Sequence, residues 1–77
     1  MYIVDIDKCN EQFTNCNADI IARHRNEFKY PDHLKKMIQF WYDDCNIKIE
    51  KDIRTQSFNT LIFDSEEDFV YWYIKWS

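Results

Sequence analysis

Residues 18–28, ADIIARHRNEF, carry two periodicities at once, and the choice between them decides the fold. As a helix, the run places Ile20, Ile21, His24 and Phe28 on a common face. As a strand, it takes the place in the first half of the chain that SFNTLIF (57–63) takes in the second. Two capped segments that align without a gap, F-KYPDHLKKMIQFW and F-DSEEDFVYWYIKW, favour the strand. They match Phe28 with Phe63, Leu34 with Phe69, Met37 with Trp72 and Trp41 with Trp76. The opening MYIVDID then corresponds to NIKIEKD (46–52). On this reading residues 1–77 form a single domain with an internal ββα repeat, 1–45 and 46–77. The expected fold class is α+β, ββαββα: a four-stranded, mainly antiparallel sheet with two helices packed on one face. The helical alternative for 18–30 stays open.

The elements outside that run are plainer. At the C-terminal end, Asp64 and Ser65 precede Glu66, Glu67 and Asp68. This gives an N-cap, a capping-box acid and negative charge at the positive end of the helix dipole. Phe69, Trp72, Tyr73 and Trp76 then recur at helical spacing, with Lys75 in the last turn. Upstream, Ile47 and Ile49 alternate with Lys48 and Glu50, the pattern of a strand with one wet face. NTLIFDS reads as the next strand, and the polar RTQSFN between them makes the pair a hairpin. In the middle, Pro31 suits a first helical position. Leu34, Ile38, Trp41 and Cys45 follow at i, i+4, i+7 and i+11, and Asp43, Asp44 and Asn46 end the helix.

A chain of 77 residues buries only about 60–65% of its unfolded surface, so its core must be dense in large side chains. Six Phe, five Tyr and three Trp answer that need. There is no glycine, which excludes phosphate-cradling loops of the P-loop or dinucleotide type, where the backbone must approach the ligand closely. Asn, Asp and Ser must make the turns instead. No apolar run approaches a membrane span, and MYIVDIDK has acids where a signal peptide has its basic region. A cytoplasmic, intracellular protein is expected.

Three cysteines, Cys9, Cys16 and Cys45, then read as free thiols. With His24 and His33 they lie seven, eight, nine and twelve residues apart in sequence, without the paired knuckle that marks a zinc site. No metal and no cofactor is expected. A two-histidine acid–base pair assisted by Lys36 or Arg25 is imaginable, but no spacing demands it. Nothing around the cysteines resembles a nucleophile signature. The chain is read as no enzyme.

Charge is unevenly spread over a net −4. Residues 22–42 carry Arg23, Arg25, Lys29, Lys35 and Lys36 against Glu27 and Asp32, between acidic flanks. Arg23, Arg25, Lys29, His33, Lys35 and Lys36 are therefore the residues of an alternative function, binding nucleic acid or nucleotides. Five bases diluted by acids elsewhere neutralise few phosphates, so this is the weaker reading.

The helix faces point more sharply. The apolar side chains of the last helix span an arc of roughly 200°, wider than the ~100° stripe that covers a sheet. Tyr71 falls outside it, beside Lys75, and Phe40 of the middle helix lies between Lys36 and Asp44. Outward aromatics ringed by charge are the material of protein-binding hot spots. The expected partner-binding residues are Phe40, Tyr71 and Ile74, with Lys36 and Lys75 beside them. A homodimer through the same surface is equally consistent with the arc.

In its length, its acidic, aromatic- and Asn/Ile/Lys-rich composition and its ββα grouping ending in FDSEEDF, the chain resembles the small proteins with which bacteriophages manipulate their hosts, anti-defence inhibitors among them. The resemblance implies stoichiometric binding that blocks a larger host protein, without turnover. It assigns no residue.

Overall fold

A computed structural model describes residues 1–28, 33–52, 54, 55 and 57–77. Their fold is α+β, with three helices and a three-stranded antiparallel sheet. Strand β1 (Tyr2–Asp5) leads through a 3-10 turn, Ile6–Lys8, into helix α1 (Asn10–Arg23). A second 3-10 turn, Arg25–Glu27, precedes helix α2 (His33–Cys45). Strands β2 (Lys48–Lys51) and β3 (Phe58–Phe63) and helix α3 (Glu66–Lys75) complete the order.

The four-stranded ββαββα expectation is corrected at residues 18–28: Ala18 to Arg23 are the last turns of α1. The first half of the chain therefore runs βαα and the second ββα, and the two halves do not share an order of elements. The physical reason lies upstream of the ambiguous run. Cys9, Phe13, Cys16 and Ile20 fall at i, i+4, i+7 and i+11, the spacing that marks α2, and all four are buried or half-buried. Pro31, expected at the first position of α2, lies outside the described residues.

The expected hairpin is present. β3 is the central strand, with β1 and β2 antiparallel on either side. The register sets Val4 and Ile49 opposite Leu61, which puts three buried side chains in one row across the sheet. Cys9, Cys16 and Ile20 of the α1 stretch, Trp41 of α2 and Trp72 of α3 close over that face. Ile3, one residue out of phase, points to the opposite face and is exposed.

Aromatic contacts tie the helices together. Phe13 stacks on Trp41 at 5.2 Å between ring centroids, and Trp41 meets Trp72 at 6.1 Å. The buried indole of Trp41 donates its N–H to Asn17 Oδ1 at 2.9 Å, so its polar end is satisfied. Two further bonds hold α1 against the end of α3: Gln12 Nε2 donates to Ser77 Oγ (3.1 Å) and Asn15 Nδ2 to the Trp76 carbonyl (2.8 Å). α3 starts as its sequence requires, with Ser65 Oγ accepting from the Asp68 amide at 3.2 Å. α2 stops at Asn46, whose φ of 57° is left-handed. Asn tolerates that conformation best after glycine, and here its side chain donates to Asp64 Oδ2 at 2.7 Å. Among the described residues no helix is long and apolar enough to cross a membrane.

Candidate functional site

α3 divides its aromatics between two sides. Trp72 is buried and Phe69 and Trp76 are half-buried against the core. Tyr73, which shares their helical spacing, touches Phe69 at 5.6 Å but remains at the rim, 37% exposed. On the outer side Tyr71 is 72% and Ile74 69% exposed, and Val70 joins them. Lys75, also exposed, holds its ammonium 5.4 Å from the Trp76 ring centroid.

Phe40 and Lys36 do not belong to this surface. The ring of Phe40 lies flat on His24, with centroids 3.8 Å apart and planes 4° apart, and meets Phe28 edge-on at 5.3 Å. From its wheel position on the polar side of α2, Phe40 is half-buried. As a helix and turn, residues 18–28 bring His24 and Phe28 over the ring. Lys36 is half-buried on the same helix.

The basic segment is largely neutralised where it meets α2. Arg23 pairs with Asp19 at 2.9 Å and with Asp44 at 3.3 Å. His24 bonds Glu27 through Nδ1 (2.6 Å) and Asp44 through Nε2 (2.8 Å). The Asp44 carboxylate, then that of Glu27, favours the protonated ring and raises the pKa of His24 above its ordinary value. Arg25 and Lys35 are exposed and His33 is half-buried; Lys29 lies outside the described residues.

A cleft of about 260 Å³ opens between the end of α2 and the flank of α3, with Tyr71, Lys75 and Trp76 on one wall and Asp44 and Cys45 on the other. Beneath it lies a pair of thiols that sequence spacing gave no reason to join. Cys45 Sγ stands 4.0 Å from Cys16 Sγ, across 29 residues of chain. Cys16 is fully buried, whereas Cys45 is half-buried and lines the cleft. The Trp72 indole N–H points at Cys16 Sγ from 3.4 Å. The two sulfurs lie within hydrogen-bond reach, and either thiol can be the donor. This hydrogen bond, aided by the charges of Arg23 and Lys75 and opposed by burial and by Asp44, lowers the pKa of Cys45 to about 7. Cys16 moves the opposite way, its thiol form held by the bond to Cys45 and by burial. The third cysteine, Cys9, is buried, directs its thiol to the Asp5 carbonyl at 3.7 Å and is raised by desolvation. A signal for the pair does exist in the sequence: Cys16 and Cys45 each fall on the apolar face of a helix at i, i+4, i+7, i+11 spacing.

Among the described residues no group of three or more His, Cys, Asp or Glu side chains is arranged to hold a metal ion. Comparison of the chain with protein-family models, with curated proteins and with solved structures finds no match.

Proposed function

We propose that the protein is a non-enzymatic interaction module that binds a larger intracellular protein stoichiometrically, as an inhibitor or adaptor. One observation carries the reading: Val70, Tyr71 and Ile74 stand exposed on a helix whose opposite side already fills the core. Exposing single apolar residues is ordinary, but three within five positions of one short helix form a contiguous strip. Tyr and Ile side chains supply large contact area, and Lys75 and Glu67 at the strip's borders supply charge that orients a partner. The likeness in size and composition to phage host-interaction proteins supports a host protein as the target.

The reading is tested by capture. Tagged wild-type protein and a Tyr71→Ala/Ile74→Ala variant, both checked for folding by circular dichroism, are passed over a bacterial lysate. A protein retained in equimolar amount by the wild type and lost by the folded variant supports the surface. Equal retention by both removes it. Sedimentation of the purified chain tests the homodimer: a dimer abolished by the same substitutions would make a second copy the occupant.

The nucleic-acid reading has less support, because Arg23 is shared between Asp19 and Asp44 and His24 is enclosed by two carboxylates. Binding to single- or double-stranded oligonucleotides at low salt, lost steeply as salt rises, would restore it.

A further inference from the structure

We infer that Cys45 and Cys16 form a redox-active dithiol, in which Cys45 is the attacking thiol and Cys16 the resolving one, and that its reactant is a low-molecular-weight disulfide entering the cleft beside α3. The inference goes beyond partner binding and needs no partner.

Access assigns the roles. Cys45 lines an open cleft, so a reagent arriving from solvent meets it first. Cys16 is 0% exposed, and what can reach its sulfur is Cys45, 4.0 Å away. Cys16 Sγ lies within hydrogen-bond reach of Cys45 Sγ, so a Cys16 thiol can stabilise negative charge on Cys45, while the Trp72 N–H bonds to Cys16. A thiol ionising near ambient pH is the most effective attacker in exchange, because a more acidic one is a poorer nucleophile and a less acidic one is rarely ionised. Lys75 on the facing wall adds a cation that suits the carboxylates borne by small cellular thiols.

The exchange balances. Cys45 thiolate attacks one sulfur of RS–SR, forming a Cys45–S–SR mixed disulfide and expelling RS⁻, which takes a proton from water. Cys16 then gives up its proton and attacks Cys45 Sγ, forming the Cys16–Cys45 bond and releasing the second RS⁻ with that proton. The protein loses two hydrogens and the small disulfide gains them. A disulfide needs its sulfurs about 2.05 Å apart, so the second step draws Cys45 inward by roughly 2 Å. The residue that moves is the last of α2 and is followed at once by left-handed Asn46. The displacement is thus taken up at a helix end, not inside a helix.

The test uses the purified chain and oxidised glutathione, read by intact mass and by peptide mapping without reductant. The wild type is expected to lose two hydrogens, with Cys16 cross-linked to Cys45 and Cys9 still free. Cys16→Ser keeps an acceptor for the Trp72 N–H and is expected to stop at the glutathione adduct on Cys45. Cys45→Ser is expected to take up no glutathione. A wild type that accumulates the adduct without cross-linking, a cross-link through Cys9, or an unreactive Cys45 in the folded protein would each overturn the inference. One readout needs no variant: the alkylation rate of Cys45 in the wild type should rise through a midpoint below that of an ordinary thiol, and a midpoint at or above it counts against the assignment. Since no binding partner enters these measurements, their failure leaves the α3 surface untouched, and failure of the capture experiment leaves the dithiol untouched.

Discussion

Two clusters flank the C-terminal end of α2, one on each side of the Asp44–Cys45 peptide, and they use their polar groups in opposite ways. On the Asp44 side every charge is answered: Arg23 and His24 share its carboxylate, Glu27 closes the other nitrogen of His24, and Phe40 covers the ring's face. On the Cys45 side the Trp72 N–H meets Cys16, and Cys16 meets Cys45, a sulfur at the edge of a cleft. The first arrangement is closed and holds α1 to α2. The second ends on a free thiol that lines the cleft. Adjacent residues thus serve cohesion and reactivity: the charges around Asp44 are paired with one another, whereas the Cys45 thiol faces the cleft.

The contrast can be broken most forcefully at Trp72. Trp72→Ala removes a buried ring packed on Trp41, Phe63 and Phe69, together with the N–H that Cys16 accepts, and should cost about 3–5 kcal/mol by denaturant unfolding. A loss near zero would mean that the cleft side is not part of the core. Cys16→Ala, which leaves that indole N–H without its partner, should cost about 1–3 kcal/mol.

Next in size comes a difference in pH dependence. His24 has a raised pKa, so the stability it contributes is fully present below its ordinary value of 6.5 and is lost as pH rises through the raised one. Cys45 has a lowered pKa, so its contribution is present above the ordinary thiol value of 9.0 and is lost as pH falls through about 7. Measured in a Cys45→Ser background, where the opposing thiolate slope is gone, stability should decline as pH climbs above 6.5, and Asp44→Asn should flatten the decline. An unchanged slope would show that Asp44 does not hold the imidazolium. The smallest effect is expected at the strip on α3. Tyr71→Ala, at an exposed position, should shift stability by no more than about 0.5 kcal/mol, and a larger loss would place Tyr71 in the fold instead of on its surface.

These regions differ too in how far they could be read from sequence. α3 announces itself through Ser65, three acids and a full aromatic period, and the hairpin through its alternating isoleucines. α1 does not. It lacks a side-chain N-cap, and its inner face is built from Gln12, Cys16 and Ile20 where α2 and α3 use tryptophan. A thiol and an amide are weak hydrophobic signals, so the period was lost just where the strand reading of 18–28 took over. A strand over 18–28 leaves no place for the contact of His24 with Phe40, which is half-buried beneath it. The exposure of Tyr71 and Ile74 survived that reading because their environment depends on α3 alone. The apolar-face positions of Cys16 and Cys45 are each legible, but their meeting is not, since no local pattern encodes the relative placement of the two helices.

The central position of β3 has a consequence for how the chain reaches this state. Tyr2 pairs with Phe63 and Val4 with Leu61, and α1 is fastened to Trp76 and Ser77. α1 also meets the nearby α2 through Trp41 and Asp44, whereas β1 lies far in sequence from the strand it pairs with. Contacts of such wide sequence separation are slow to form, because the intervening loop must be closed first. The β1–β3 pairing and the Trp72 contact with Cys16 can form only once β3 and α3 are in place.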